Sequence, residues 1–207
     1  MELSLWALCV EGGWIMIPLA ALALICLYVF VERLIVIRAA SRYDSTFMNR
    51  IRDYVHEGEF ESALNLCRAN PTPFGRLIAK GISRIGRPTN DILAAVENTG
   101  NIEIADLSKG LPWLATTAAG APMLGFLGTV IGMVQAFYSI ANSGNAAQIG
   151  TFAGGIYTAL VTTVAGLIVG IAAMFAYNFL LARINKVMQL MEERIMEFMD
   201  LLNEPAS

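Results

Sequence analysis

From Leu111 to Ala182 the chain carries no Asp, Glu, Lys, Arg or His. No other feature restricts its folding options as much. A helix crosses about 30 Å of hydrocarbon in about 20 residues, so this run accommodates two spans with a turn between them. Ala141-Asn-Ser-Gly-Asn-Ala-Ala-Gln148 is polar and rich in turn formers, which makes it the division point. The expected second span is therefore 111–140, the turn 141–148 and the third span 149–182. Both spans exceed the minimum length and must tilt or stand proud of the bilayer.

A further uncharged run, Gly12 to Val31, has the length of one more span. Glu32 and Arg33 follow it, and Leu34 to Ile37 carry the helix into the interface, so the first span is expected over 12–37. A cleaved signal peptide would place positive charge ahead of the apolar run. Here Glu2 and Glu11 precede it and the arginines follow, so the segment reads as a retained span behind a short N-terminal stretch, 1–11. The composition agrees: 56% of the 207 residues are hydrophobic and 15% charged, against about 25% charged in an average soluble domain. The expected fold class is an all-α membrane protein with three transmembrane helices, two of them long and reaching into the cytoplasm, and a small helical cytoplasmic region.

Basic residues near the span ends set orientation. Residues 1–11 and 141–148 hold no Lys or Arg, whereas 38–110 holds ten and the tail holds Arg183, Lys186 and Arg194. This asymmetry predicts a multi-pass membrane protein with the N-terminus and the 141–148 turn outside. Segment 38–110 and the tail, 183–207, then lie in the cytoplasm.

The 38–110 segment reads as short helices. Phe47, Ile51, Tyr54 and Val55 share one helical face, Gly58 interrupts, and Phe60 to Cys67 restarts before the Asn70-Pro-Thr-Pro73 stop. A further stretch, Phe74 to Ile85, ends at Gly86-Arg-Pro88, where Thr89 or Asn90 can cap a helix running toward Leu107. Beyond Arg183, Ile184, Val187, Leu190, Met191, Ile195, Phe198 and Leu202 form an apolar stripe that requires a partner.

Small and hydroxylated residues recur on one face of each long span. Gly125, Gly128, Gly132, Gln135 and Ser139 are spaced three or four apart with Thr129 beside them, and Thr151, Gly155, Thr158, Thr162, Gly166 and Gly170 do the same with Thr163 on the flank. Such faces let helix backbones approach closely, and Gly128-x-x-x-Gly132 and Gly166-x-x-x-Gly170 match the packing motif. Packing is the reading that spacing alone favours; the functional alternative is that the same faces line a pore, with Thr129, Thr158, Thr162 and Thr163 offering oxygens to an ion or a guest helix. Because neither the glycine faces nor the tail stripe has an evident partner in one chain, both argue for a homo-oligomer.

Other classes of function find little support. The net charge of −3 leaves no basic surplus for nucleic acid. His56 stands alone, and Cys9, Cys26 and Cys67 follow no metal or redox spacing, so they read as free thiols and no metal or cofactor is expected. No carboxylate, histidine or lysine lies in the two long spans, no G-x-S-x-G or P-loop sequence is present, and an enzyme is not expected.

Leu124-Gly-Phe-Leu-Gly-Thr-Val-Ile-Gly-Met133, followed by Gly154-Gly-Ile-Tyr-Thr-Ala-Leu-Val-Thr-Thr-Val-Ala-Gly-Leu167, resembles the MotA/TolQ/ExbB proton-channel family. The likeness is close over the last two spans and extends to the rest by layout. Three spans with an outside N-terminus resemble the ExbB and TolQ branch, most of all ExbB, since the flagellar MotA branch has four. The resemblance implies a homopentamer in membrane lipid whose second and third spans surround a pore occupied by a single-span ExbD/TolR-like partner. The proton motive force would then be converted into mechanical work, delivered through a TonB-like transducer to outer-membrane transport. A TolQ-like role in envelope constriction, a gliding or flagellar-type motor, and a non-conducting membrane scaffold are the alternatives.

Thr129 and Thr163 match the family's pore threonines, while Thr158 stands where ExbB commonly has a membrane glutamate and Ala172 where a proline usually follows. The implied ion is H⁺. The extra hydroxyl at Thr158 keeps Na⁺ open, because sodium needs oxygen ligands but no titrating group.

Overall fold

The computed structural model describes residues 12–41, 45–143 and 149–203. Residues 1–11, 42–44, 144–148 and 204–207, and with them the expected N-terminal stretch, Arg42, most of the 141–148 turn and the end of the tail, lie outside the described residues. A single 3₁₀ turn, Gly13–Ile15, leads into α1 (Met16–Ala40). Four shorter helices follow: α2 (Ser45–His56), α3 (Phe60–Ala69), α4 (Pro73–Ile82) and α5 (Thr89–Leu107). Two long helices complete the chain, α6 (Leu111–Ser143) and α7 (Ile149–Asn203). Three helical stretches are long and apolar enough to cross a membrane: Gly13–Ala40, Leu111–Ala141 and Phe152–Asn203. Among the described residues there is no strand, and the protein is an all-α, multi-pass membrane protein.

The helices divide into two compact units, residues 1–32 with 110–179 and residues 33–109 with 180–207. In the membrane unit, Ile15 and Leu19 are buried with Ala121, and Leu22, Leu124, Ile131, Ala165 and Val169 pack around them. The start of α1 thus lies against α6 and α7. Pro122 sits inside α6, where it removes one backbone donor. Its ring faces Gly170 of α7: a Cβ there would lie 2.5 Å from Pro122 Cγ and 3.1 Å from the Ala118 carbonyl.

In the second unit the short helices follow the punctuation of the sequence. Gly58 and Gly86 adopt φ of +75° and +92° between helices, a conformation that costs glycine little and other residues more. Thr72 caps α4, its hydroxyl accepting from Gly75 N–H at 3.2 Å, with Pro73 in the first turn, where its missing N–H costs nothing. The helix stops at Ile82, with Ser83 as its C-cap, three residues short of the sequence expectation. Pro88, with no side chain able to cap, takes the position before α5, so Thr89 and Asn90 fall inside the first turn.

The apolar stripe of the tail finds its partner in its own chain. Ile184, Val187, Met191, Ile195 and Phe198 are buried together with Phe74, Leu77, Ile78, Ile82 and Val96. A Cβ at Gly81 would strike the ring of Phe198, and one at Gly100 would touch Leu77, Met191 and Ile195. The stripe therefore gives no argument for a homo-oligomer, contrary to the sequence expectation. The reason is that α4 and α5 carry a complementary apolar face that is spread too thinly through a polar segment to stand out in sequence.

Cys67 is buried in this unit, and burial pushes its thiol up to about 12; with so little thiolate at neutral pH it is a poor nucleophile. Near the start of α4, Arg76 donates to both carboxylate oxygens of Glu103, each at 2.5 Å, and to the Pro71 carbonyl at 2.9 Å. The hydrogen bonds it donates to Glu103 hold the guanidinium above its ordinary range. Lys109 beside Asp106 holds that exposed carboxyl below the usual range.

Candidate functional site

The glycine faces of α6 and α7 meet each other. A Cβ at Gly125 would lie 2.9 Å from the Thr162 carbonyl and 3.2 Å from the Gly166 Cα, and one at Gly132 would lie 2.9 Å from both the Ala159 Cβ and the Gly155 carbonyl. From the other side, a Cβ at Gly155 would come 2.9 Å from the Ala136 Cβ, and one at Gly166 would come 2.5 Å from the Ala121 carbonyl. At Gly128 the space is filled by the side chain of Thr162. In a bilayer no hydrophobic force draws helices together, so close van der Waals packing of this kind and interhelical hydrogen bonds hold the pair. This also answers the sequence-level case for an oligomer from the glycine faces: they are occupied within one chain.

Three threonines use the close approach. The Thr129 hydroxyl, on α6, crosses to the Ala159 carbonyl of α7 at 3.1 Å, and the Thr163 hydroxyl, on α7, crosses to the Gly125 carbonyl of α6 at 3.2 Å. The two hydroxyls also bond each other. Each carries one proton, so one can donate to its neighbour while the other donates to a carbonyl. Thr162, 1% exposed, donates to Ala159 O at 2.8 Å and lies 3.4 Å from Gly125 O. Thr129, Thr162 and Thr163 thus share two backbone carbonyls.

Thr158 and Gln135 stand apart from this cluster. With Thr162, Gly128 and Gly132 they line a small crevice beside the Gly12–Ile15 turn. Ser139 lies one turn beyond Gln135 and donates to its carbonyl at 2.9 Å. The side chain of Thr151 lies outside the described residues. Ala172 lines an apolar groove between α1 and α7 with Cys26, Phe30 and Phe179. Fully buried Thr117, which donates to the Trp113 carbonyl at 2.8 Å, escaped the sequence reading because it lies outside the glycine-rich pattern. Arg76 and Glu103 escaped it as well, since nothing in a mixed-charge segment pairs residues 27 positions apart.

Three helices of membrane-spanning length, two of them in glycine contact and carrying a cluster of hydroxyls and carbonyls within the uncharged run 111–182, define a multi-pass helical membrane protein with a polar intramembrane site. Residues 69–193 match the model of the MotA/TolQ/ExbB proton channel family, and the chain belongs to that family. It is 29% identical over 176 residues to a putative biopolymer transport protein ExbB homolog of Methanothermobacter thermautotrophicus, covering 84% of this chain and 62% of that one. It is 38% identical over 106 residues to the Tol-Pal system protein TolQ of Haemophilus influenzae, covering 51% and 46%. The biopolymer transport protein ExbB of Xanthomonas campestris is 44% identical over 77 residues, 37% of this chain and 30% of that one. The chain spans less than two thirds of the length of each of these three relatives. They support the ExbB and TolQ branch.

The hydroxyl cluster makes one prediction. Serine at Thr129 or Thr163 keeps the hydroxyl and should keep most of the stability. Valine keeps the shape, removes an interhelical hydrogen bond and should cost about 1 kcal/mol of helix-pair stability. Thermal stability of the four single variants in detergent measures this. Equal behaviour of serine and valine would reduce these positions to packing.

Proposed function

We propose that this chain is the ring-forming channel subunit of an ion-driven motor in a bacterial inner membrane. In this reading it assembles as a homopentamer around an ExbD/TolR-like single-span partner and converts the proton motive force into work for TonB-dependent outer-membrane transport. Family membership supports it, and the observation that carries it furthest is the Thr129–Thr163 contact. It places paired hydroxyls and two carbonyls inside a span that has no charged residue. Thr129, Thr162 and Thr163 would border the ion path, while Gly125, Gly128, Gly132, Gly155, Gly166 and Gly170 hold α6 to α7. TolQ-like work on the envelope is the nearest alternative. A scaffold joined through its glycine faces loses its contact surface, because α6 and α7 use those faces on each other.

Native mass spectrometry of the chain released from mild detergent is expected to give pentamers, and pentamers with the single-span partner when the two are co-expressed. Monomers or dimers alone, across several detergents, would defeat the assembly. For orientation, a cysteine at Asn145 in a cysteine-free background should react with an impermeant thiol reagent added from the periplasm, and one at Asn90 should not. The opposite labelling would invert the topology.

A further inference from the structure

The crevice beside the Gly12–Ile15 turn has a volume of about 50 Å³ and is lined by Gln135 of α6 and by Thr158 and Thr162 of α7, among others. Among the described residues, neither the Gln135 amide nor the Thr158 hydroxyl has a hydrogen-bond partner in the protein. Thr162 spends its single proton on the Ala159 carbonyl, so its oxygen is left to accept from whatever occupies the crevice. Gln135 lies eight residues from the end of α6 and Thr158 nine from the start of α7, which is about 12–14 Å of helix at 1.5 Å per residue. Gln135 is exposed and Thr158 half-buried in the single chain, but both lie in stretches long and apolar enough to cross a membrane, where a polar group left without a partner is costly.

We propose that this crevice is a binding site for water, held by the Gln135 amide, the Thr158 hydroxyl and the Thr162 oxygen. The volume, taken as space for the centre of a water-sized sphere, exceeds the about 10–15 Å³ that one water requires, and the lining offers the two to four polar partners that an ordered water needs. Water can donate one proton to the Thr162 oxygen and the other to the Thr158 oxygen while accepting from the Gln135 amide, which engages all three side chains at once. An alkali cation could take the same oxygens, but no lining residue is charged, and an ion desolvated without a counter-charge is costly. On the reading proposed above, the water would bring hydration to Thr162, which shares the Ala159 carbonyl with Thr129. The binding itself does not depend on that reading.

Water-edited solid-state NMR of the full chain in phospholipid vesicles tests the site with no partner protein and no ion gradient. Magnetisation from water should reach Thr158 and Gly132 severalfold faster than Val130 and Val164, two exposed apolar residues on the same helices. The Gln135→Leu/Thr158→Val double variant should remove the difference, and Thr158→Ser should keep it. Transfer to Thr158 as slow as to Val164, or unchanged in the double variant, overturns the proposal. A saturable shift of the Thr158 and Thr162 signals when choline is replaced by Na⁺ would also overturn it, in favour of a cation. Failure of ion flux with normal water transfer would count against the motor reading and leave the water site standing.

Discussion

Replacing Gly166 by leucine should destroy the α6–α7 pair and with it the folded membrane unit. A Cβ at this position already lies 2.5 Å from the Ala121 carbonyl and 2.9 Å from the Gly125 Cα. Both obstacles are backbone, which cannot rotate away as a side chain can. The helices would have to separate, and separation lengthens the Thr129, Thr162 and Thr163 hydrogen bonds that cross the same interface. Overpacking in a close-packed interior costs about 1–3 kcal/mol and occasionally more, and the loss of the threonine bonds adds to it. Alanine at Gly166 should already lower thermal stability, since its Cβ is the atom that collides. Gly120 and Gly154 supply the control, because a Cβ at either has nothing within 4 Å. Alanine there should be neutral or stabilise the helix by up to about 1 kcal/mol. Thermal unfolding of the detergent-solubilised variants, followed by size exclusion, separates the two cases. Equal effects of alanine at Gly166 and Gly154 would mean that the close approach does not hold the pair.

The second large effect concerns conduction. A carboxyl at mid-bilayer is costly when charged and tends to shift its pKa, which suits it to carrying protons in a closed cavity. This chain has none between Leu111 and Ala182, because Thr158 stands where the resemblance to ExbB leads one to expect a glutamate. The run holds the phenols of Tyr138, Tyr157 and Tyr177 but no carboxylate and no imidazole. The chain reconstituted alone should therefore pass protons at close to the rate of empty vesicles. Adding the proposed single-span partner should raise flux by an order of magnitude or more, and changing to asparagine the membrane aspartate that the family resemblance implies for that partner should return it to the baseline. Proton flux into vesicles under an imposed potential measures all three. Strong flux from the chain alone, or flux indifferent to the asparagine, would place the carrier in this chain's hydroxyls and water instead. A requirement for Na⁺ in place of a pH gradient would reassign the ion and make Thr158 and Thr162 the first candidates for its ligands.

Three spans, their uncharged character and the small-residue faces could be read from the sequence, because each depends on local quantities: run length, charge and a spacing of three or four. A helix must satisfy its backbone within itself in hydrocarbon, so apolar length alone determines that a span is helical. The threonines were also found this way, since Thr129, Thr162 and Thr163 share the periodicity of the glycines beside them.

What each face touches was decided by tertiary structure. Periodicity shows that Gly125, Gly128 and Gly132 lie on one side of α6. It does not say whether the opposing helix belongs to the same chain, and here α7 supplies it through Gly155, Ala159, Thr162 and Gly166. The tail stripe is covered in the same way by α4 and α5, whose apolar residues are scattered through a charged segment. The partition of the hydroxyls is likewise a matter of three dimensions: Thr162 and Thr163 are sequence neighbours, yet only Thr162 joins Gln135 and Thr158 around the crevice. Neighbours in an α-helix are turned by about 100°. Sequence therefore determines that two hydroxyls point apart, and only the position of α6 and of the Gly12–Ile15 turn decides that Thr162 also faces a space large enough for water.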